Sequence, residues 1–382
     1  MSSNPRNSLT TALRKGPIVI KVGSGVLTDK DGRLETKVVK RIASEVAPLA
    51  SPGRWPFIVS SGAIAIGMSG LGMKTRPRTI PGLQAAAAVG QSKLVEAWGN
   101  AFRKYEIPVG QVLLTSDDLS NRTRFLNARA ALLELQKRKA IAIINENDSV
   151  SYEEIAVGDN DGLAAQVSNI VSAGVLVLLS VAPGILDTEG NVISSSLSTD
   201  TSLDGMLRTS KSTFGTGGMA TKLAAARAAC ALGAHVAIID GKQPNGLSRL
   251  LAGENIGTIL LPPQNAGPMK SRSHWIAHAL KPQGALYVDQ GASHALLTQN
   301  KSLLPSGITS VDGNFDAGES VNIICGDKEL GRGLVRYSSE QIRQIAGQKS
   351  QAIREKLGFS LGSEVIHKDD LVHASRISPG EN

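Results

Sequence analysis

The sequence predicts an α/β protein: a doubly wound, mainly parallel sheet sandwiched by helices, followed by a small mixed β domain. Three observations predict it. Short apolar runs of strand length alternate with helical patterns through residue 280. The runs are apolar on both faces, as parallel strands covered by helices on either side must be. Beyond Gly284 the pattern changes to shorter β-like runs. A chain of 382 residues also exceeds what one compact core usually holds, so two domains are expected.

In chain order, residues 1–16 read as a flexible N-terminus, polar and basic, with no apolar core that would make a signal peptide. Strands are expected at Pro17–Val22, Trp55–Ser60, Pro108–Leu114, Ala140–Asn145, Val175–Val181 and His235–Asp240. Helices are expected between them at Thr36–Ala50, Gly82–Lys104, Arg124–Lys137, Gly162–Ser172 and Thr221–Leu232. This alternation builds an open βαβ sheet, whose ligands gather beyond the carboxyl ends of the strands. The first domain is expected to span 17–268 and to end in the proline-rich stretch Pro262–Pro268. A linker helix, Met269–Leu280, falls within 269–283, and the second domain covers 284–368 with runs at Ala285–Asp289, Ser320–Cys325 and Gly331–Tyr337. Residues 369–382 read as a tail.

Aromatic residues make up only 3% of the chain, so the core must be built from Ala, Val, Leu and Ile. The two cysteines, Cys230 and Cys325, lie in apolar runs and are expected as free thiols in a reducing cytoplasm. No apolar run approaches membrane-spanning length. The net charge of +8 is unevenly placed: from Gly284 onward ten basic residues face twelve acidic ones, and the excess lies in the larger N-terminal part. An anionic small molecule such as a nucleotide fits that placement, whereas an RNA-binding face on the second domain is not expected.

The most informative segment is Gly215-Thr216-Gly217-Gly218-Met219-Ala220-Thr221-Lys222, which opens a helix. Glycines admit an anion close to the backbone, helix-start N–H groups carry positive partial charge, and the lysine adds a full charge. The segment reads as a phosphate cradle. It is no P-loop, because the chain's one Gly-Lys pair, Gly241-Lys242, is followed by Gln243. Lys21, near the end of the first strand and before Gly23-Ser24, must face an anion or carboxylate or snorkel to water. Ser60-Ser61-Gly62 ends the second strand with hydroxyl and backbone donors. Asn145–Asp148 ends the fourth, and Asp159-Asn160-Asp161 precedes a helix. Those carboxylates suit an N-cap cluster, a divalent-metal site or a grip on an ammonium group. The six histidines include no HExxH motif, and no protein-held metal site is expected.

Together, Val19-Ile-Lys21-Val-Gly23-Ser, Ser60-Ser61-Gly62-Ala63-Ile, Phe125–Arg129, Asn145–Asp148, Val157–Asp161 and Gly215–Lys222 resemble the glutamate 5-kinases of the amino-acid kinase superfamily. The likeness covers about residues 17–280, and Val288–Ala292, Leu303–Gly307 and Gly313–Phe315 continue it into a PUA-like domain. The resemblance implies ATP- and Mg²⁺-dependent phosphorylation of the L-glutamate side-chain carboxylate, the first step of proline synthesis. It implies Lys21 and Lys222 as the catalytic cations and Asp161 as the group orienting them. It assigns Ser61, Asn145, Asp148, Asp159 and Asn160 to glutamate. Lys21, Gly23, Ser180 and the run Thr216, Gly217, Gly218, Met219, Ala220, Thr221, Lys222 fall to ATP. It further implies a cytoplasmic homo-oligomer, dimer or tetramer, with proline as feedback inhibitor. Two positions depart from the family pattern: Ser180-Val181, where Thr-Asp is usual, and Ala156, where lysine is frequent. Neither touches the lysines or the aspartates, so an active enzyme is expected. The alternatives are a kinase of the same superfamily with another acceptor, and an RNA-binding or regulatory protein with an inactive kinase domain.

Overall fold

The computed structural model describes residues 5–14, 16–52, 54–150, 160–209, 218–263, 282–349 and 351–374. The chain divides into two compact units, with the boundary between Pro268 and Met269. The expected linker helix and the final eight residues lie outside the described residues.

The first unit is built on eight strands: β1 (Ile18–Val22), β2 (Pro56–Ser60), β3 (Val109–Leu114), β4 (Ile141–Glu146), β5 (Val175–Ser180), β6 (Ser195–Leu197), β7 (His235–Asp240) and β8 (Thr258–Leu261). They form one sheet in the order β3-β4-β2-β1-β5-β7-β8-β6. Every pairing is parallel except β7 with β8. The six expected strands form within a residue of their expected ends. The edge strand β6 and its neighbour β8 were not anticipated, because neither is longer than four residues and Ser195-Ser196-Leu197 carries no apolar run. β1 is buried along its whole length, with β2 on one side and β5 on the other. A lysine in that strand has no route to water along its flanks.

The N-terminus is a correction. Residues 1–16 were expected to be flexible, yet Pro5–Ala12 is a helix. Leu9, Ala12 and Leu13 lie at the i, i+3, i+4 spacing of one helical face and are buried. Arg6, which made the segment look solvent-facing, is also buried. Its guanidinium donates to Ile256 O (2.8 Å), Asn255 Oδ1 (2.9 Å), Ser194 O (3.2 Å) and Gly257 O (3.3 Å). One side chain thereby occupies the carbonyls around the start of β8, and the helix is fastened to the sheet edge.

Two helices position the middle of the site: Ala63–Gly70, which leaves the end of β2, and Ile80–Phe102. They cross at two glycines. A Cβ on Gly67 would overlap the Ala86 carbonyl, and one on Gly90 would overlap the Ala63 carbonyl, so each helix presses on the other's backbone. Gly62 precedes the first of them at φ 105°, a left-handed turn that side-chain-bearing residues avoid.

The second unit carries five strands: β9 (Gly284–Val288), β10 (Ile308–Gly313), β11 (Ser320–Cys325), β12 (Lys328–Leu334) and β13 (Leu371–His373). Their order is β10-β9-β11-β12-β13, with only β9–β11 parallel. Leu286, Val321, Ile323, Tyr337, Ile342 and Ile366 are fully buried at its centre. Here too the expected tail is corrected. Leu371–His373 pairs with Gly331–Gly333 and buries Val372, a strand too short to show directly after the polar His367–Asp370. Cys230 and Cys325 are free, and burial pushes the Cys230 thiol up to about 12.

The helix crossing generates a paired prediction. Gly90→Ala is expected to lower unfolding free energy by about 2 kcal/mol through overpacking. Gly99→Ala, on the same helix with open space around its Cβ, is expected to raise it by ~0.5–1 kcal/mol through helix propensity. Urea denaturation of the two variants checks both signs.

Candidate active site

The site lies at the carboxyl ends of the central strands and is assembled around one carboxylate. Asp161 is the second residue of the helix Asn160–Ile170, where the helix dipole favours negative charge. Lys21 reaches it from β1, with Nζ 2.7 Å from Oδ1. Lys222 reaches it from the first turn of the helix Met219–Ala231, with Nζ 3.1 Å from Oδ2. All three side chains are at least nine-tenths buried. Thr221 joins them, its hydroxyl 3.4 Å from Asp161 Oδ2 and donating to Gly218 O at 2.8 Å. Burial alone would push the Asp161 carboxyl up. The two ammonium groups outweigh it and hold the carboxyl below the usual carboxylate range.

The centre therefore carries one net positive charge among buried side chains. That is the electrostatic setting in which charge on a phosphoryl group in transfer is stabilised most strongly. The backbone around it is tight. Gly23 N–H donates to Leu179 O, and a Cβ on Gly23 would stand 3.3 Å from that oxygen and 3.8 Å from Lys21 Nζ.

Beside Asp161 runs a chain of amides. Asn160 Nδ2 donates to Ser61 Oγ (2.9 Å) and to Asn145 Oδ1 (3.0 Å), and Asn145 Nδ2 donates to Gln91 Oε1 (2.8 Å). All four residues are buried. The chain's two outer atoms, Asn160 Oδ1 and Gln91 Nε2, have no hydrogen-bond partner among the described residues. A buried amide left in that state costs about 1–3 kcal/mol, so the chain is complete only with something added. Gln91 borders a cavity of about 270 Å³ together with Glu146, Asn147 and Asp148.

Of the sequence-predicted residues, Lys21, Asp161 and Lys222 come together, as do Ser61, Asn145 and Asn160. Asp148 lies on the adjoining cavity, half-buried. Gly218, Met219 and Ala220 lead into Lys222. Ser180 is buried at the end of β5, and the next residue, Val181, is exposed. Asp159, Thr216 and Gly217, and the departure at Ala156, lie outside the described residues.

Gln91 was not anticipated. The signal was present: Ala87, Leu94 and Trp98 share one buried stripe with it on the helix Ile80–Phe102. A carboxamide on a stripe otherwise apolar is a group placed for a partner.

The amino acid kinase family model matches residues 16–240, and the PUA domain model matches 284–357. Sheet, site and these matches define a kinase of the amino acid kinase family. The chain is 45% identical to the glutamate 5-kinase of Geobacter sulfurreducens over 93% of its length and 96% of that protein's. It is 44% identical to the enzyme of that name in Pelobacter propionicus and 41% to that of Nitrosococcus oceani, each over 93% of this chain and 96% of the relative. Within the amino acid kinases, the chain belongs to the glutamate 5-kinase family. Among the described residues, no helix is long and apolar enough to cross a membrane.

The ion triad yields a prediction about stability and pH. Asp161→Asn leaves two buried ammonium groups uncompensated, and is expected to lower stability by about 3 kcal/mol at pH 7. The Asp161 folded pKa is depressed, so its contribution is complete above the unfolded value of about 3.9 and is lost as pH falls through the folded value. The wild-type advantage over Asp161→Asn should therefore shrink below about pH 4. Chemical denaturation of both proteins across the acid range measures it.

Proposed function

We propose that the protein transfers the γ-phosphoryl group of ATP to the side-chain carboxylate of L-glutamate, giving γ-glutamyl phosphate and ADP in the first step of proline synthesis. The observation that carries this reading is the buried Lys21–Asp161–Lys222 centre with an unfilled amide chain at its edge. The two functional ends of the reaction correspond to those two features.

A carboxylate is already a nucleophile, so no general base is required. One carboxylate oxygen of glutamate attacks the γ-phosphorus, a new O–P bond forms, and the bond to the β-phosphate bridging oxygen breaks. No proton needs to move. The barrier lies in bringing two anions together and in the charge carried by the phosphoryl group between them. Lys21 and Lys222 supply cations from two different elements, and Asp161 fixes the position of both ammonium groups. Ser61, Asn145, Asp148, Asp159 and Asn160 hold glutamate. Asn160 Oδ1, a buried acceptor, suits its ammonium group, as does the Asp148 carboxylate. Gly23, Ser180 and Thr216–Thr221 border the nucleotide with the lysines.

Among the described residues no three carboxylate, imidazole or thiol groups cluster as metal ligands. Asp161 is already committed to the two lysines. Mg²⁺ belongs to this reading as part of the MgATP substrate, held by the phosphates. In this reading the kinase domain is 17–268 with the helix Pro5–Ala12 packed on it, and the PUA-like domain is 284–368 extended by β13. A cytoplasmic dimer or tetramer with proline as feedback ligand completes the reading, with no RNA bound through the acidic second domain.

The test is glutamate-dependent ADP release with MgATP, accompanied by hydroxamate formation when hydroxylamine is present. Both are expected, and their absence across a range of glutamate and MgATP concentrations would sink the reading. Lys222→Ala is expected to lower kcat by roughly 10²–10³ while keeping the wild-type circular dichroism spectrum. Near-normal turnover in that variant would remove Lys222 from the chemistry.

A further inference from the structure

The amide chain ends in a donor that no other described residue uses. We infer that Gln91 recognises the α-carboxylate of the amino-acid acceptor, and so decides which of its two carboxylates is presented for phosphorylation. The inference rests on the glutamate-kinase reading and adds a substrate contact to it.

Gln91 is 8% exposed, and its Nε2 has no hydrogen-bond partner among the described residues. Its other terminal atom, Oε1, accepts from Asn145 Nδ2, which leaves the NH₂ outside that bond. The side chain borders the cavity of about 270 Å³ that Glu146, Asn147 and Asp148 also line. A buried amide NH₂ can meet only an acceptor. Glutamate offers acceptors at its two carboxylates alone, since its ammonium group donates. The side-chain carboxylate must lie with the phosphoryl group by Lys21 and Lys222, which leaves the α-carboxylate for Gln91.

Position along the chain agrees. Asn160 is the immediate neighbour of Asp161, Asn145 follows, and Gln91 is the far end. A substrate lying along these amides has one end at the lysines and the other at Gln91. The crossing of Ala63–Gly70 with Ile80–Phe102 holds that far end in place. Gly90, next to Gln91, presses on the carbonyl of Ala63, two residues after Ser61. The distance between the two substrate carboxylates is thereby measured between two fixed points.

Gln91→Glu tests the claim, because it keeps an acceptor for Asn145 and replaces the unpartnered donor with a negatively charged acceptor that repels a carboxylate. At pH 8 the variant is expected to raise the glutamate KM by roughly 10- to 100-fold, the range for losing a hydrogen bond to a charged group. The KM for ATP should stay within about twofold of wild type. The second measurement uses 4-aminobutyrate, which is glutamate without its α-carboxylate, as a competitor of glutamate. Its inhibition constant is expected to change by less than about threefold, so the wild-type preference for glutamate over it narrows by the same factor as the KM rises. Gln91→Leu, which also removes the donor, should narrow that preference in the same direction. A glutamate KM within twofold of wild type in a folded Gln91→Glu protein overturns the inference. Equal weakening of glutamate and 4-aminobutyrate also overturns it, because that pattern marks a role through Asn145 alone. A wild-type protein with no glutamate-dependent turnover, by contrast, removes the reading beneath it.

Discussion

The structure depends on a carboxylate that is shared. Asp161 sits between two ammonium groups at 2.7 and 3.1 Å, in a place where all three would be prohibitively desolvated alone. Each lysine requires the aspartate, and the aspartate requires both lysines to remain charged against its own burial. The arrangement therefore couples three separate pieces of chain: the central strand β1, the helix Asn160–Ile170 and the helix Met219–Ala231. It also leaves an unbalanced positive charge. For an isolated domain that is a liability, and for a site that receives anions it is the source of affinity.

The parallel sheet explains why these groups meet. β1, β2, β4 and β5 all end on the same side, so Lys21, Ser61, Asn145 and Ser180 arrive at one edge from well-separated parts of the sequence. Helices that begin near that edge add their positive N-terminal ends there. The glycine crossing of Gly67 and Gly90 then brings a further helix close enough for Gln91 to hydrogen-bond Asn145. A larger residue at either glycine would separate the helices and open that bond.

Much of this was legible in the sequence, and the reason differs by element. The strands were legible because burial on both faces demands an uninterrupted apolar run. Lys21 stood out for the opposite reason, as a charge inside such a run. The N-terminal helix was misread because Arg6 counts as solvent-facing by type, while its four acceptors come from residues 188 to 251 positions away. The edge strands β6 and β13 were invisible because three residues paired on one side carry no periodic pattern. Gln91 was passed over because its meaning depends on where its helix crosses another, and no local pattern records that crossing.

The amide chain shows how such a site can discriminate by the order of its hydrogen-bonding groups. Each carboxamide offers one donor end and one acceptor end, and linking them in series fixes a direction. Asn160 gives its NH₂ to Ser61 and Asn145, and Asn145 gives its own to Gln91. The two atoms left over are then necessarily of opposite kind: an acceptor on Asn160 and a donor on Gln91. A ligand that satisfies both must itself present a donor and an acceptor in that order. An α-amino acid does so through its ammonium and carboxylate groups, while a simple dicarboxylate leaves Asn160 unmatched and a simple amine leaves Gln91 unmatched. Because unmatched buried amides are costly whereas matched ones gain only modestly, rejection of the wrong molecule contributes more than attraction of the right one. On the proposed reading the selectivity resides in the order of hydrogen-bonding groups along a neutral chain, and the charge of the lysine–aspartate centre is left to act on the phosphoryl group.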